Sequence, residues 1–112
     1  MKKIPRIPNR DVPQYVAERK EFTNSTGSLF SILVGEPDDK HSIYVVYSYG
    51  MHYPVYCHTQ HANYVNMEKS THTTGKHRSL VLTGLNNRPY SSVDTRKMRE
   101  IMFKNTVLEV TV

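Results

Sequence analysis

Residues Ile43 to His58 read IYVVYSYGMHYPVYCH. Valine, isoleucine and tyrosine crowd a run that breaks only at Gly50-Met51, and such side chains suit the pleated, half-buried surface of a strand. The run predicts two antiparallel strands closed by a two-residue turn, with glycine where positive φ is needed. Alternation then sorts the side chains. Ile43, Val45, Tyr47 and Tyr49 share one face of the first strand and Tyr44, Val46 and Ser48 the other, while Tyr53, Val55 and Cys57 oppose His52, Pro54, Tyr56 and His58 in the second. Both faces of the first strand are largely apolar, which places it centrally in a sheet. Pro54 has no N–H to donate and predicts an edge or an irregularity there.

The flanks supply further elements. Upstream, Leu29 to Val34 is an apolar run of strand length, joined to the hairpin by the acidic turn Gly35-Glu36-Pro37-Asp38-Asp39. Before it come the polar turn Thr23 to Gly27 and Phe22, placed to fasten the exit of a preceding helix. That helix is expected from Val12 to Lys20, capped by Asp11 with Pro13 in its first turn, and with Val12, Tyr15, Val16 and Arg19 on one face. Lys2 to Asn9, with prolines at 5 and 8, is expected to be extended and mobile at its start. Downstream, Asn63 to Met67 predicts a fourth short strand, and Ser70 to Ser79 (STHTTGKHRS) reads as a polar loop. Leu80 to Leu82 is ambiguous between strand and helix. Ser91 and Asp94 resemble a capping box for a helix over Val93 to Lys104, with Met98, Ile101 and Met102 as its apolar stripe. The alternating tail Thr106 to Val112 predicts a last strand.

A chain of 112 residues is one domain with one modest core. No apolar run approaches the length that spans a bilayer, and Met1-Lys2-Lys3 is followed by Ile4-Pro5-Arg6-Ile7-Pro8 rather than a signal core, so a soluble, cytosolic protein is expected. The lone Cys57 has no partner for an internal disulfide, fits a reducing compartment, and is expected to be a small buried apolar residue. The net charge of +5 is unevenly spread: residues 1–20 and 68–112 carry +4 each and residues 21–67 carry −3. Such asymmetry suits a polyanion, or a protein partner with complementary patches, as well as a merely solvated surface.

The pattern Tyr47-Ser48-Tyr49-Gly50-x-His52-Tyr53-Pro54, then Asn63-Tyr64-x-Asn66, then Thr73-Thr74-Gly75-Lys76-His77 resembles a family of small accessory proteins of tailed bacteriophages. The likeness covers Val12 to Ser79 and includes Tyr15-Val16 and Glu18-Arg19-Lys20-x-Phe22. In that pattern a Trp often precedes the Tyr-x-Asn unit and Ser often replaces Gly75; here Ala62-Asn63 and Gly75 stand in those places. The resemblance implies a phage origin and an accessory role in the infected cell's cytoplasm, and it supplies no catalytic residues.

Three chemistries compete for the polar residues. Five of the six histidines lie between His52 and His77, yet there is no CxxC or HExxH, and Cys57 and His58 fall on opposite strand faces, so no metal and no cofactor are expected. A metal-independent nuclease would use His52 and His77 as base and acid, with Lys76, Arg78 and a tyrosine on a phosphate. A nucleic-acid-binding protein would stack bases on sheet tyrosines and hold phosphates with the Ser70 to Ser79 loop. The expectation adopted is an α+β domain: a mainly antiparallel sheet of four to five strands with two short helices on one face. It acts without catalysis by binding a host macromolecule, a protein or a protein–nucleic acid complex, so as to inhibit a host defence or processing enzyme. The candidate binding residues are His52, Tyr56, Thr73, Thr74, Lys76, His77 and Arg78. Because Ser70 to Ser79 holds no aliphatic or aromatic side chain, its substitution is expected scarcely to alter folding.

Overall fold

From the N-terminus the elements are β1 (Arg6–Ile7), a 3-10 turn (Asn9–Asp11), α1 (Val12–Ala17), β2 (Thr23–Asn24), β3 (Leu29–Val34), β4 (Ile43–Ser48), β5 (Pro54–His58), β6 (Asn63–Asn66), α2 (His72–Leu85), β7 (Ser91–Val93) and α3 (Thr95–Thr111). They come from a computed structural model that describes residues 3–36, 39–69 and 72–111, with every side chain among them except those of 72, 73 and 105–111.

The strands form one sheet whose spatial order, β1 to β7, repeats their order in the chain. The inner pairs from β2–β3 to β5–β6 are antiparallel, and β1–β2 and β6–β7 at the edges are parallel. Parallel neighbours need a crossover, and α1 and α2 provide the two. The α+β class is as expected, but the sheet is larger and partly parallel. The reason is the length of β1, β2 and β7: two or three mostly polar residues each, too few to show a period of two in the sequence.

Among the described residues there are three α-helices rather than two, and they lie on both faces of the sheet rather than on one. Val12 and Val16 of α1 and Val81 and Leu85 of α2 pack with Tyr44, Val46, Val55 and Tyr56. On the opposite face, Met98 and Met102 of α3 pack with Ile43, Val45, Tyr47 and Cys57. Covered from both sides, β4 is buried at every position, which is why both of its faces are apolar. Cys57 is fully buried, as expected, and burial pushes its thiol up to about 12.

Several local expectations change. The hairpin closes through Tyr49 to Tyr53 rather than two residues; Gly50 does take positive φ (+107°), and so does Tyr49 (φ 59°). A bulge sits where Pro54 predicted an irregularity: Tyr47 pairs with Pro54 but Val46 with Tyr56. The extra residue, Val55, therefore packs with Tyr56 on the α1/α2 face while Cys57 faces α3. Helix α1 stops at Ala17, because Arg19 turns left-handed (φ 54°), and Asp11 makes no side-chain cap. Asp94, not Ser91, caps α3: its carboxylate accepts the Lys97 N–H at 2.8 Å, while Ser91 is in β7.

The two largest corrections concern the C-terminal half. Residues 72–79, read as a loop, are the first two turns of α2, and Leu80 to Leu82 continue the same helix. Ser70 and Thr71 lie outside the described residues, as do Pro37 and Asp38 of the acidic turn. The tail read as a strand continues α3 to Thr111, and Val112 lies outside the described residues. No helix among the described residues is long and apolar enough to cross a membrane.

Candidate functional site at the hairpin tip

β4 ends on Ser48, whose hydroxyl lies 2.8 Å from His77 Nδ1 and 3.2 Å from Thr74 Oγ1. All three residues are buried: Ser48 is 1% exposed, His77 3% and Thr74 5%. Helix geometry presents Thr74 and His77 side by side, because residues three apart share a face. The same face continues into Val81 and Leu85 of the core. Burial holds the His77 imidazole below its ordinary pKa, so the neutral ring is favoured. Two hydroxyls and a neutral imidazole satisfy one another without a charge, and among the described residues no buried side-chain polar atom is left without a partner.

Outside this tie, the loop is held from several directions. The Tyr49 ring stacks on His77 with centroids 5.4 Å apart, and the Tyr49 N–H donates to the Ser28 carbonyl at 2.7 Å. Arg78 donates to the Tyr53 hydroxyl and to the carbonyls of Asn66 and Glu68 at 2.8–2.9 Å. From α3, Arg99 donates to the His52 carbonyl at 2.6 Å. The buried Asn66 amide bridges the Pro54 carbonyl and Thr95 Oγ1, both at 2.9 Å. Five residues of loop are thus tied to α2, α3 and the exit of β6.

What this arrangement leaves outside is apolar side chains beside a rim of both charges. Tyr49 is 48% exposed, Met51 63%, Met67 44% and Phe103 69%. Beside Arg99, an open groove of about 670 Å³ is lined by Glu68, Thr95, Arg96, Arg99, Glu100 and Phe103. Arg96 and Lys97 are spanned by Glu100 at 3.7 and 3.8 Å, whereas Arg99 is directed at the hairpin.

The candidate residues of the sequence divide accordingly. Thr74 and His77 come together with Ser48, but as interior groups, and Arg78 is a half-buried clamp. Altering these residues is therefore expected to act on folding, contrary to the expectation for a loop. Lys76 is exposed on α2, and the side chain of Thr73 lies outside the described residues. His52 is exposed, and among the described residues no hydrogen bond joins it to His77. Tyr56 is in the core, 1% exposed, with its hydroxyl donating to Asn63 Oδ1 at 2.7 Å and burial raising it to about 12. Tyr44 and Tyr47 are buried as well, so the central tyrosines present no open stacking face. Ser48 and Asn66 entered the sequence reading only as strand residues and as part of the phage-like pattern, and Met51, Arg99 and Phe103 were not among the candidate residues; only the Thr74, His77, Val81, Leu85 spacing could have pointed to Ser48's partners.

Among the described residues, no three His, Cys, Asp or Glu side chains are grouped so as to hold a metal ion. Comparison of the chain with protein-family models, curated proteins and solved structures finds no match.

Proposed function

We propose that the protein is a phage accessory protein that binds a host macromolecule without catalysis, through the platform formed by the hairpin tip and the neighbouring face of α3. The observation that carries this reading is the combination of exposure and restraint at Tyr49 and Met51: large side chains face solvent from a loop tied down by His77, Arg78 and Arg99. A pre-organised aromatic and methionine surface loses little freedom on association, and Tyr, Met, Phe and Arg are the residue types enriched in protein interfaces. With a net charge of +5, and with Arg96, Lys97 and Arg99 outnumbering Glu68 and Glu100 at the rim, the complementary partner is an acidic protein surface. Inhibition of a host defence or processing enzyme is the role consistent with the phage-like sequence pattern. Ser48 and His77 serve the platform as a buried tie, since a nucleophile has to reach its substrate.

The test is capture of host proteins on the immobilised chain, with and without nuclease, in parallel with Met51→Glu and Tyr49→Ala. A protein retained after nuclease, and lost by at least tenfold with Met51→Glu at unchanged thermal stability, is the expected result. Capture that disappears with nuclease would instead assign the surface to nucleic acid, and equal capture by both variants would remove the platform from consideration.

A further inference from the structure

The end of the β4–β5 hairpin opposite its tip borders a cleft of about 830 Å³, within the range of small-molecule sites. It lies between the end of α1, the extended N-terminal segment and the starts and ends of β3 to β5. Leu33, Tyr44 and His58 contribute from the sheet and Tyr15 from α1. The charged groups around it are Lys3, Arg19, Lys20 and Lys40 against Glu18, Glu21 and Asp39. The acids are engaged within the chain: Glu18 pairs with Lys20 at 2.9 Å, Glu21 accepts the Leu33 N–H at 2.8 Å, and Asp39 accepts the His41 N–H at 2.9 Å. Lys3, Arg19 and Lys40 make no salt bridge among the described residues.

Arg19 stands out because its backbone works against it. It occupies the left-handed position after α1 (φ 54°), where glycine or asparagine is at ease and other residues are strained. Arg19 lines the cleft together with Tyr44 and His58 of the sheet. His58 is oriented from behind. The Asn63 amide donates to the Pro89 carbonyl at 3.3 Å, which leaves Oδ1 to accept from His58 Nδ1 and from the Tyr56 hydroxyl, both at 2.7 Å. The Nδ1 proton being fixed, Nε2 of the neutral ring is left as an acceptor for a hydroxyl or amino hydrogen of a ligand.

We propose that this cleft binds a small organic phosphate of nucleotide size, its phosphate held by Arg19 and Lys40, one of its hydroxyl or amino hydrogens donated to His58 Nε2, and its planar part laid against Tyr15 and Leu33. The four cations of the lining outnumber its three carboxylates, and this net positive charge favours an anion. The aromatic and aliphatic wall favours an organic group over a bare ion. The site is separate from the hairpin-tip platform, so either can fail without the other.

The experiment is titration calorimetry of the full chain with adenosine monophosphate, adenosine and inorganic phosphate, and the same titrations of Arg19→Asn. Asparagine tolerates the left-handed backbone, so this variant is expected to melt at or above the parent temperature. Saturable binding of adenosine monophosphate, at least tenfold tighter than either adenosine or inorganic phosphate and weakened at least tenfold by Arg19→Asn, is the expected result. A His58 imidazole NMR signal that moves on adding the nucleotide, while that of His77 stays, would support it further. No saturable binding, equal affinity for inorganic phosphate, or undiminished binding by Arg19→Asn would overturn the proposal.

Discussion

Gly84 of α2 and Pro13 of α1 meet so closely that a Cβ on Gly84 would stand 2.6 Å from the Pro13 carbonyl oxygen and 3.0 Å from Val16 Cβ. The two helices pack directly over the sheet, and the missing side chain sets their separation. Alanine at a helical glycine ordinarily stabilises by about 1 kcal/mol, but here the neighbour is backbone and cannot swing aside. Gly84→Ala is expected to destabilise by about 1–3 kcal/mol. Gly75, in the same helix, has nothing within 4 Å of such a Cβ, so Gly75→Ala is expected to stabilise by about 0.5–1 kcal/mol. Chemical denaturation of the pair checks both signs.

His77→Ala leaves the Ser48 and Thr74 hydroxyls facing a void, and is expected to cost about 1–3 kcal/mol of stability. If the melting temperature of this variant matches the parent, the buried tie has no energetic weight.

Acid should weaken the fold through two histidines. Burial lowers both His77 and His58, and Arg19 and Arg88 add to the depression at His58 against its hydrogen bond to Asn63. Near pH 6.5 and just below it, the unfolded chain takes up protons that the folded chain does not. Stability is therefore full at neutral pH, falls as pH drops through about 6.5, and stops falling from this cause once the folded histidines protonate. Urea midpoints at pH 7.5 and 5 measure the slope, and His77→Gln is expected to reduce it.

Gly50→Val puts a β-branched residue at φ +107°, with its Cβ 3.1 Å from His52 Nδ1. The expected loss is about 1–3 kcal/mol. Because the loop carries Tyr49 and Met51, captured partner should fall along with thermal stability.

Cys57 offers a clean reporter of unfolding. With its thiol buried and pushed up to about 12, it is expected to resist a thiol reagent in the native protein and to react fully in denaturant. Rapid labelling under native conditions would show that the α3 face opens readily.

β3, β4, β5 and β6 were legible because each carries β-branched or aromatic residues over strand length, and Pro54 signalled the bulge through its missing N–H. The start of α2 was not, because it is buried by hydrogen bonding rather than by oil. Thr74 and His77 occupy the positions that an apolar stripe would fill, followed at helical spacing by Val81 and Leu85. A search for apolar periodicity passes over them, since a buried histidine is marked as interior only by its partner, Ser48, 29 residues away. The same distance hid the hairpin-tip platform: Arg99 and His52 are 47 residues apart. The C-terminal alternation misled for the opposite reason, a period of two in side chains standing on a backbone that continues a helix.

A sheet whose strands follow one another in chain order has a kinetic corollary. β3 to β6 can zip together through neighbouring turns, each bringing nearby residues into contact, and topologies of this local kind fold fast. The two parallel ends are different, since β1 must wait for α1 and β7 for α2 before either can dock. Amide exchange should therefore be slowest in β4 and fastest in β1 and β7, so that the protein loosens from its rims while the meander at its centre still holds.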